Sequence, residues 1–111
     1  MSSKKLKRTS TADVNLATVQ QLGGNLRGII AVNTNAAARY LKFYDKADPV
    51  VVGTDVPAIT FALPASSGFT AFPTDGINFK LGIVMAMTVN AVDTDNTGVG
   101  AGDIILTVLF E

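Results

Sequence analysis

The chain contains no cysteine, no histidine and no tryptophan among its 111 residues. Without cysteine, neither disulfide bonds nor thiolate metal sites can form. Without histidine, the chain lacks the side chain that titrates most readily near neutral pH and the most common transition-metal ligand. Residue content alone therefore excludes much of acid–base and metal-dependent catalysis.

Charged residues are also scarce, at 16% of the chain against the ~25% that is usual for soluble domains. Hydrophobic residues make up 48%, which argues against disorder and leaves few groups to keep the surface of a monomer hydrated. No apolar run approaches the ~20 residues that span a membrane, so no membrane partner is expected. The length fits one domain with a single core.

The formal charge of zero hides an uneven distribution. Four basic residues fall in the first eight positions, and the rest of the chain carries five basic against nine acidic side chains. The pattern predicts a basic N-terminal arm over residues 1–24 and a domain over residues 25–111. The arm is expected to dock on a partner through Lys4, Lys5, Lys7 and Arg8.

Short apolar or alternating segments separated by turn residues run through the rest of the chain. Examples are 26–33, 38–44 and 58–63, and the segment 77–90 predicts two strands or one strand bent at Gly82. Residues 12–22 fit either a short helix or an extended arm. We expect about six to eight short strands in an all-β protein, a single antiparallel β-sandwich of jelly-roll or Greek-key type with an extended N-terminal arm.

Two segments, 83–89 and 104–110, are apolar on both faces of the strand that they predict. A half-exposed antiparallel strand should alternate instead, so we expect two central strands that pair with each other. One face of each would lie in the core, and the N-terminal arm or another subunit would cover the second. The side chains assigned to these core or oligomer faces are Met85, Met87, Ile105 and Leu109.

Acidic residues cluster in the loop before the last strand. Alternate carboxylates can gather oxygen ligands around calcium, which makes Asp93, Asp95 and Asp103 weak candidates for a metal site. The EF-hand pattern fails because Thr97 and Ile104 stand where ligands are needed. Asp and Asn in a glycine-rich loop are more simply explained by turn geometry, so no metal is expected.

Aromatic and basic residues alternate in the strand over 38–44. Tyr40, Lys42 and Tyr44 share one face, which is a possible exposed binding face and a possible platform for stacking bases. The simpler interpretation is an outward sheet face on which the aliphatic stems cover apolar surface. Nucleic acid is therefore not expected as a partner.

Catalytic residues are not apparent. The serines lie in the arm or in one loop with no base to activate them, and the carboxylates fall in predicted loops, turns or strand ends. No catalytic residue, cofactor or small-molecule substrate is expected.

Four short motifs occur in a recognisable order between residues 26 and 111. They are ARYLKFYDK over 38–46, GTDVP over 53–57, DGINF over 75–79 followed by Gly82-Ile83, and AVD-x-D over 91–95. In order and spacing the chain resembles a family of small virion proteins of tailed bacteriophages, whose members are described as structural, head-decoration or cement proteins. The resemblance implies a β-sandwich without catalytic residues and carries over no functional residue.

These observations together predict a non-enzymatic structural virion protein, most simply a decoration or cement protein on the head surface of a tailed bacteriophage. Its expected partners are the major capsid protein and further copies of itself, as a dimer or trimer. The alternatives are a tail or baseplate component, a glycan-binding β-sandwich module and a cellular adaptor.

Overall fold

The computed structural model describes residues 4–47 and 49–111, and within them the chain forms nine β-strands. The strands, numbered in chain order, are β1 (Lys4–Thr9), β2 (Ala17–Gln21), β3 (Gly24–Asn33), β4 (Arg39–Asp45), β5 (Ile59–Leu63), β6 (Ser67–Ala71), β7 (Ile77–Phe79), β8 (Gly82–Thr88) and β9 (Ile104–Phe110). Residues 12–22, which the sequence left undecided, contribute the extended strand β2. No helix in the described part of the chain has the length and apolarity to cross a membrane.

The strands form two antiparallel sheets. The first sheet has the order β1-β9-β3-β6, with β7 also paired to β3, and the second has the order β2-β8-β4-β5. Strand β7 pairs with the beginning of the long strand β3, and β6 pairs with its second half. The two short strands together therefore occupy the position next to β3 in the sheet. The strands pair in a nested order around the β4–β5 connection. The innermost pair is β4 with β5, and the pairs that follow outward are β3 with β6 and β7, β2 with β8, and β1 with β9. This wiring is that of a jelly roll, which confirms the predicted sandwich.

The core lies between the two sheets and is built from the inward face of each strand. Every residue of β8 is buried, whereas β9 alternates between buried and more exposed positions. Phe43 occupies the centre, with its ring edge-on to those of Phe61 and Phe79 at centroid distances of 6.0 and 6.4 Å. Met85 and Met87 are fully buried in this same core.

The expectation that the two doubly apolar strands pair with each other is wrong. Strand β8 pairs with β2 and β4 in the second sheet, and β9 pairs with β1 and β3 in the first. Both are central strands, but they lie in different sheets on opposite sides of the core. Hydrophobicity marks a central strand without specifying its neighbours, because pairing depends on the nesting of distant segments.

The basic N-terminal segment is not a separate arm. Residues 4–9 form β1, the edge strand of the first sheet, which pairs over six residues with β9, and Leu6 packs against the core. Because β2 belongs to the second sheet, the expected boundary between residues 24 and 25 cuts through the sandwich. Residues 1–3 of the predicted arm lie outside the described residues.

The basic side chains of β1 have a structural explanation at the edge. An edge strand exposes unpaired backbone groups, and lysine on such a strand discourages pairing with another sheet edge. Lys4, Lys5 and Lys7 are exposed in this position, whereas Arg8 is partly buried. Their clustering near the N-terminus therefore suits a protected edge as well as a contact with a partner.

Candidate interaction surfaces

The two outer faces of the sandwich differ in how the chain covers them. The outer face of the second sheet, which we call the roofed face, carries Tyr44, Val84 and Ala86, and all three are buried. Val50 and Val52 from the β4–β5 connection pack onto these side chains in a second apolar cluster. The described chain therefore supplies its own cover for this face, including the outward side of β8.

Lys42 attaches a second loop to the roofed face. Its side chain is completely buried, and Nζ donates hydrogen bonds to the backbone oxygens of Val92 at 2.7 Å and Asp95 at 3.2 Å. Burial lowers the pKa of Lys42, while the negative charges of Asp95 and Asp93 oppose that shift. The ammonium group thus holds the loop between β8 and β9 against the sheet.

The predicted exposed face of Tyr40, Lys42 and Tyr44 is therefore wrong. The three side chains do share one face of β4, as the alternation indicated, but Lys42 and Tyr44 are buried and Tyr40 is only partly exposed. Burial raises the pKa of the Tyr44 hydroxyl, and charge from Asp55 and Asp93 acts in the same direction. The cause is the loop cover, which the alternating pattern of a strand does not reveal.

Substituting Lys42→Met should release the loop while preserving most of the packing. Methionine fills much of the space of the lysine stem but cannot donate to the carbonyl groups of Val92 and Asp95. We expect faster amide hydrogen exchange in residues 90–97 and a loss of about 2 kcal/mol in the free energy of unfolding, the scale of hydrogen bonds to a charged group. The exposed residue Lys80 supplies the matched control, Lys80→Met, which should change neither quantity. Unaltered exchange in the loop of the Lys42 variant would contradict this role.

The acidic residues proposed as weak metal ligands lie in separate hydrogen-bond networks. Asp103 accepts hydrogen bonds from Gly100 N at 2.8 Å, Asn35 Nδ2 at 3.1 Å and Arg39 Nε at 3.3 Å. The Gly100 amide, followed by the Asn35 and Arg39 contacts, lowers the pKa of Asp103, although desolvation opposes this. These contacts join the loop before β9 to the β3–β4 connection.

Asp95 organises its own loop instead. Its carboxylate accepts hydrogen bonds from Asn90 N at 2.9 Å and Thr97 Oγ1 at 2.8 Å, which is the turn role that its residue type indicates. Asp93 is exposed. In the part of the chain that the structure describes, no group of three acidic residues is arranged to hold a metal ion.

The outer face of the first sheet has no comparable cover within residues 4–47 and 49–111. Residues paired directly across neighbouring strands share a face, so the register defines this surface, which we call the open face. Charged side chains line the β1 margin of the open face, and the ion pair between Arg27 and Glu111 lies at the end of this face where β3 begins and β9 ends. The members of the open face are Lys5, Lys7, Thr9, Gly28, Ile30, Val32, Gly68, Thr70, Ile105, Thr107 and Leu109.

Apolar groups dominate the centre of the open face. The exposed fractions are 43% for Ile30, 42% for Val32 and 38% for Ile105, and Leu109 is half-buried beside them. Isolated exposed hydrophobic residues are ordinary, but adjacent ones on paired strands form a continuous patch. The predicted second faces of Ile105 and Leu109 are thus open, whereas Met85 and Met87 belong to the core.

Phe72 extends this patch, and sequence reasoning missed it. Its side chain is 59% exposed, and its ring lies directly above Gly28. A Cβ atom added to Gly28 would come within 2.6 Å of the ring, so the glycine makes room for the aromatic side chain. The position of Phe72 over Gly28 follows from the pairing of β3 with β6. Those strands are distant in the sequence, so no local pattern could have predicted it.

No protein-family model matches the chain, and no curated protein matches it significantly. Among solved structures, PirA matches with a TM-score of 0.47 at 12% identity, over 100% of this chain and 94% of that one. Two structures of the tobacco streak virus coat protein, one of them of its dimer, match with TM-scores of 0.44 and 0.45 at 9% and 8% identity. They cover 99% of this chain and 86% and 85% of the coat protein chains. The likeness to these solved structures is distant.

The strand order and the two outer faces together define the architecture of the protein. The molecule is a single jelly-roll sandwich in which one outer sheet face is roofed by the chain's own loops and the other is open and apolar. An apolar face of this kind is typical of a contact surface for another protein.

Proposed function

We propose that this protein is a non-enzymatic structural component of a virion, and that it acts as a decoration protein on the head of a tailed bacteriophage. The observation that supports the proposal most strongly is the open face. Jelly rolls occur in capsid and lectin domains among others, so the wiring alone does not select a function. A broad apolar sheet face favours a role in a capsid over a role in sugar binding, because such a face suits packing between protein subunits.

The mechanism that follows is stabilisation by mass action. Each copy that binds an assembled shell and not its separated subunits lowers the free energy of the assembled state. Burial of the apolar centre of the open face against another subunit of the assembly, a second copy of this chain included, would supply most of the favourable energy. The basic side chains of β1 would contribute orientation and association rate through charge complementarity with acidic groups on the partner. Lys5 and Lys7 lie on the margin of the open face, and Lys4 and Arg8 lie on the other side of the same edge strand.

The glycan-binding alternative loses its principal support. It required an exposed aromatic face on β4, whereas Tyr44 is buried under Val50 and Val52. A location in the tail or baseplate remains compatible with the open face, and the experiment below separates it from the head.

Imaging of purified particles tests the proposed function. Particles labelled with an antibody against this chain, or imaged by electron cryomicroscopy, should show density for the protein at regular positions on the head surface. Regular density on the tail would replace the head assignment with the tail alternative. Absence of the chain from purified particles would overturn the virion proposal.

A further inference from the structure

We propose that the open face binds the open face of a second copy of this chain, and that the two-fold axis of the dimer runs parallel to the strands. The inference deepens the proposed structural function by naming the occupant of the surface. A symmetric dimer needs a surface that is complementary to itself under a two-fold rotation. The open face meets this condition in one of its two in-plane orientations.

The open face has different margins on its two sides. Lys5 and Lys7 stand on β1 at one side, and Thr70 and the ring of Phe72 lie at the other, above β6 and β3. The two central strands between them, β9 and β3, present mainly apolar side chains. The face is therefore basic along one edge and aromatic along the other.

A two-fold axis parallel to the strands exchanges these margins. It places the β1 lysines of each copy over the β6 side of its partner, so that Lys5 approaches Phe72 and Lys7 approaches Thr70. The stem of Lys5 can then pack on the ring, where its ammonium group gains a favourable cation–π contact. Ile105 and Leu109 of each copy meet the strand of the other that carries Ile30 and Val32.

The other in-plane axis is disfavoured by charge. An axis perpendicular to the strands would turn β1 onto β1, because each strand would then face its own equivalent. The row that contains Lys7 would map onto itself, so two ammonium groups would oppose each other in a partly desolvated interface. Such a like-charge contact opposes association.

The shape of the molecule allows a second copy to stack on this face. Its extents along the principal axes are 37 × 28 × 20 Å, and an interface of standard size, roughly 800 Å² on each partner, would take in the open face together with its margins. Two packed sheets lie about 10 Å apart with nearly aligned strands, which is also the spacing inside the sandwich. The dimer would thus be a stack of four sheets, in which the first sheets of the two copies are the inner layers and the second sheets are the outer layers.

The absence of cysteine makes a crosslinking test possible. In one chain Lys7 and Thr70 are separated by three strand spacings, about 14 Å, whereas the proposed dimer brings Lys7 of each copy opposite Thr70 of the other. The variant carrying both Lys7→Cys and Thr70→Cys should form a covalent dimer in high yield with a short bifunctional maleimide. Each single variant should yield little dimer.

Other crosslinking patterns would overturn the proposal. Efficient crosslinking of the Lys7→Cys variant alone would indicate the perpendicular axis, since that arrangement opposes Lys7 to itself. Equal, slow crosslinking of all three variants would indicate random collision and no specific dimer.

A second measurement follows the mass in solution. By sedimentation equilibrium the protein should be a dimer, and Ile30→Lys should raise the dimer Kd at least tenfold, with circular dichroism confirming the fold. Val56→Lys is the control. Val56 is 72% exposed in the β4–β5 connection of the second sheet, away from the open face, so this substitution should leave the dimer Kd unchanged. A wild-type protein that stays monomeric at high concentration would overturn the proposed dimer and leave the proposed function intact. A dimer in solution that is missing from purified particles would overturn the proposed function and leave the proposed dimer intact.

Discussion

Deleting residues 1–9 should unfold the protein or lower its free energy of unfolding by about 5 kcal/mol or more. The deletion removes all six residue pairs between β1 and β9, whose backbone hydrogen bonds contribute about 1 kcal/mol each. It also removes Leu6 from the core and turns the apolar central strand β9 into an unprotected edge. Urea denaturation followed by circular dichroism measures the loss, and light scattering should detect aggregation of the truncated chain.

A charge-neutral variant separates the strand from its charges. Replacing Lys4, Lys5, Lys7 and Arg8 with glutamine keeps the backbone pairing of β1, so the free energy of unfolding should change by less than about 1 kcal/mol. A truncated protein that unfolds at the same urea concentration as the full chain would show instead that the segment is a detachable arm.

Phe43→Ala should lower the free energy of unfolding by about 3–5 kcal/mol, a large part of the total stability of a domain of this size. Phe43 is completely buried, and its ring makes edge contacts with Phe61 and Phe79. Truncation loses both the buried apolar area and these contacts, and it leaves a cavity that the rigid strands around it cannot fill. Thermal and urea denaturation provide the measurement.

The exposed residue Val56 provides the control, and Val56→Ala should change stability by no more than about 0.5 kcal/mol. Equal stability losses in the two variants would contradict the position assigned to the core.

Local alternation predicted several strands well. The segment 38–44 corresponds closely to β4, and the inward face of Leu41 and Phe43 is the core face. The two strands around Gly82 also appear as β7 and β8. In these places the side chains on each face of a strand depend on neighbours close in the sequence, so the pattern contains the answer.

Strand β3 shows where alternation fails. The spacing of Leu26, Gly28, Ile30 and Val32 predicts one shared face, but the register shifts between Leu26 and Gly28 as β3 pairs with β9. The irregularity places Leu26 in the core, while the register turns the next three members of the series to the outer face, where the ring of Phe72 covers Gly28. A bulge adds one residue to one strand and so reverses its faces, and nothing in the local pattern announces it.

The surfaces were harder to predict than the strands for a related reason. Lys42 and Tyr44 have the residue types of an outward face, and they are outward on the sheet, yet loops distant in sequence cover them. The open face depends on the register of four strands and on a phenylalanine folded over a glycine. Long-range pairing determines both features.

Covalent footprinting of side chains, compared between dilute free protein and purified particles, tests the central claim most directly. The claim is that the open face, centred on Ile30, Val32 and Ile105, is the surface buried on assembly. The account predicts that labelling of these residues and of Phe72 falls strongly in the assembled state. Equal labelling of this face in both states, with protection appearing elsewhere on the molecule, would contradict it.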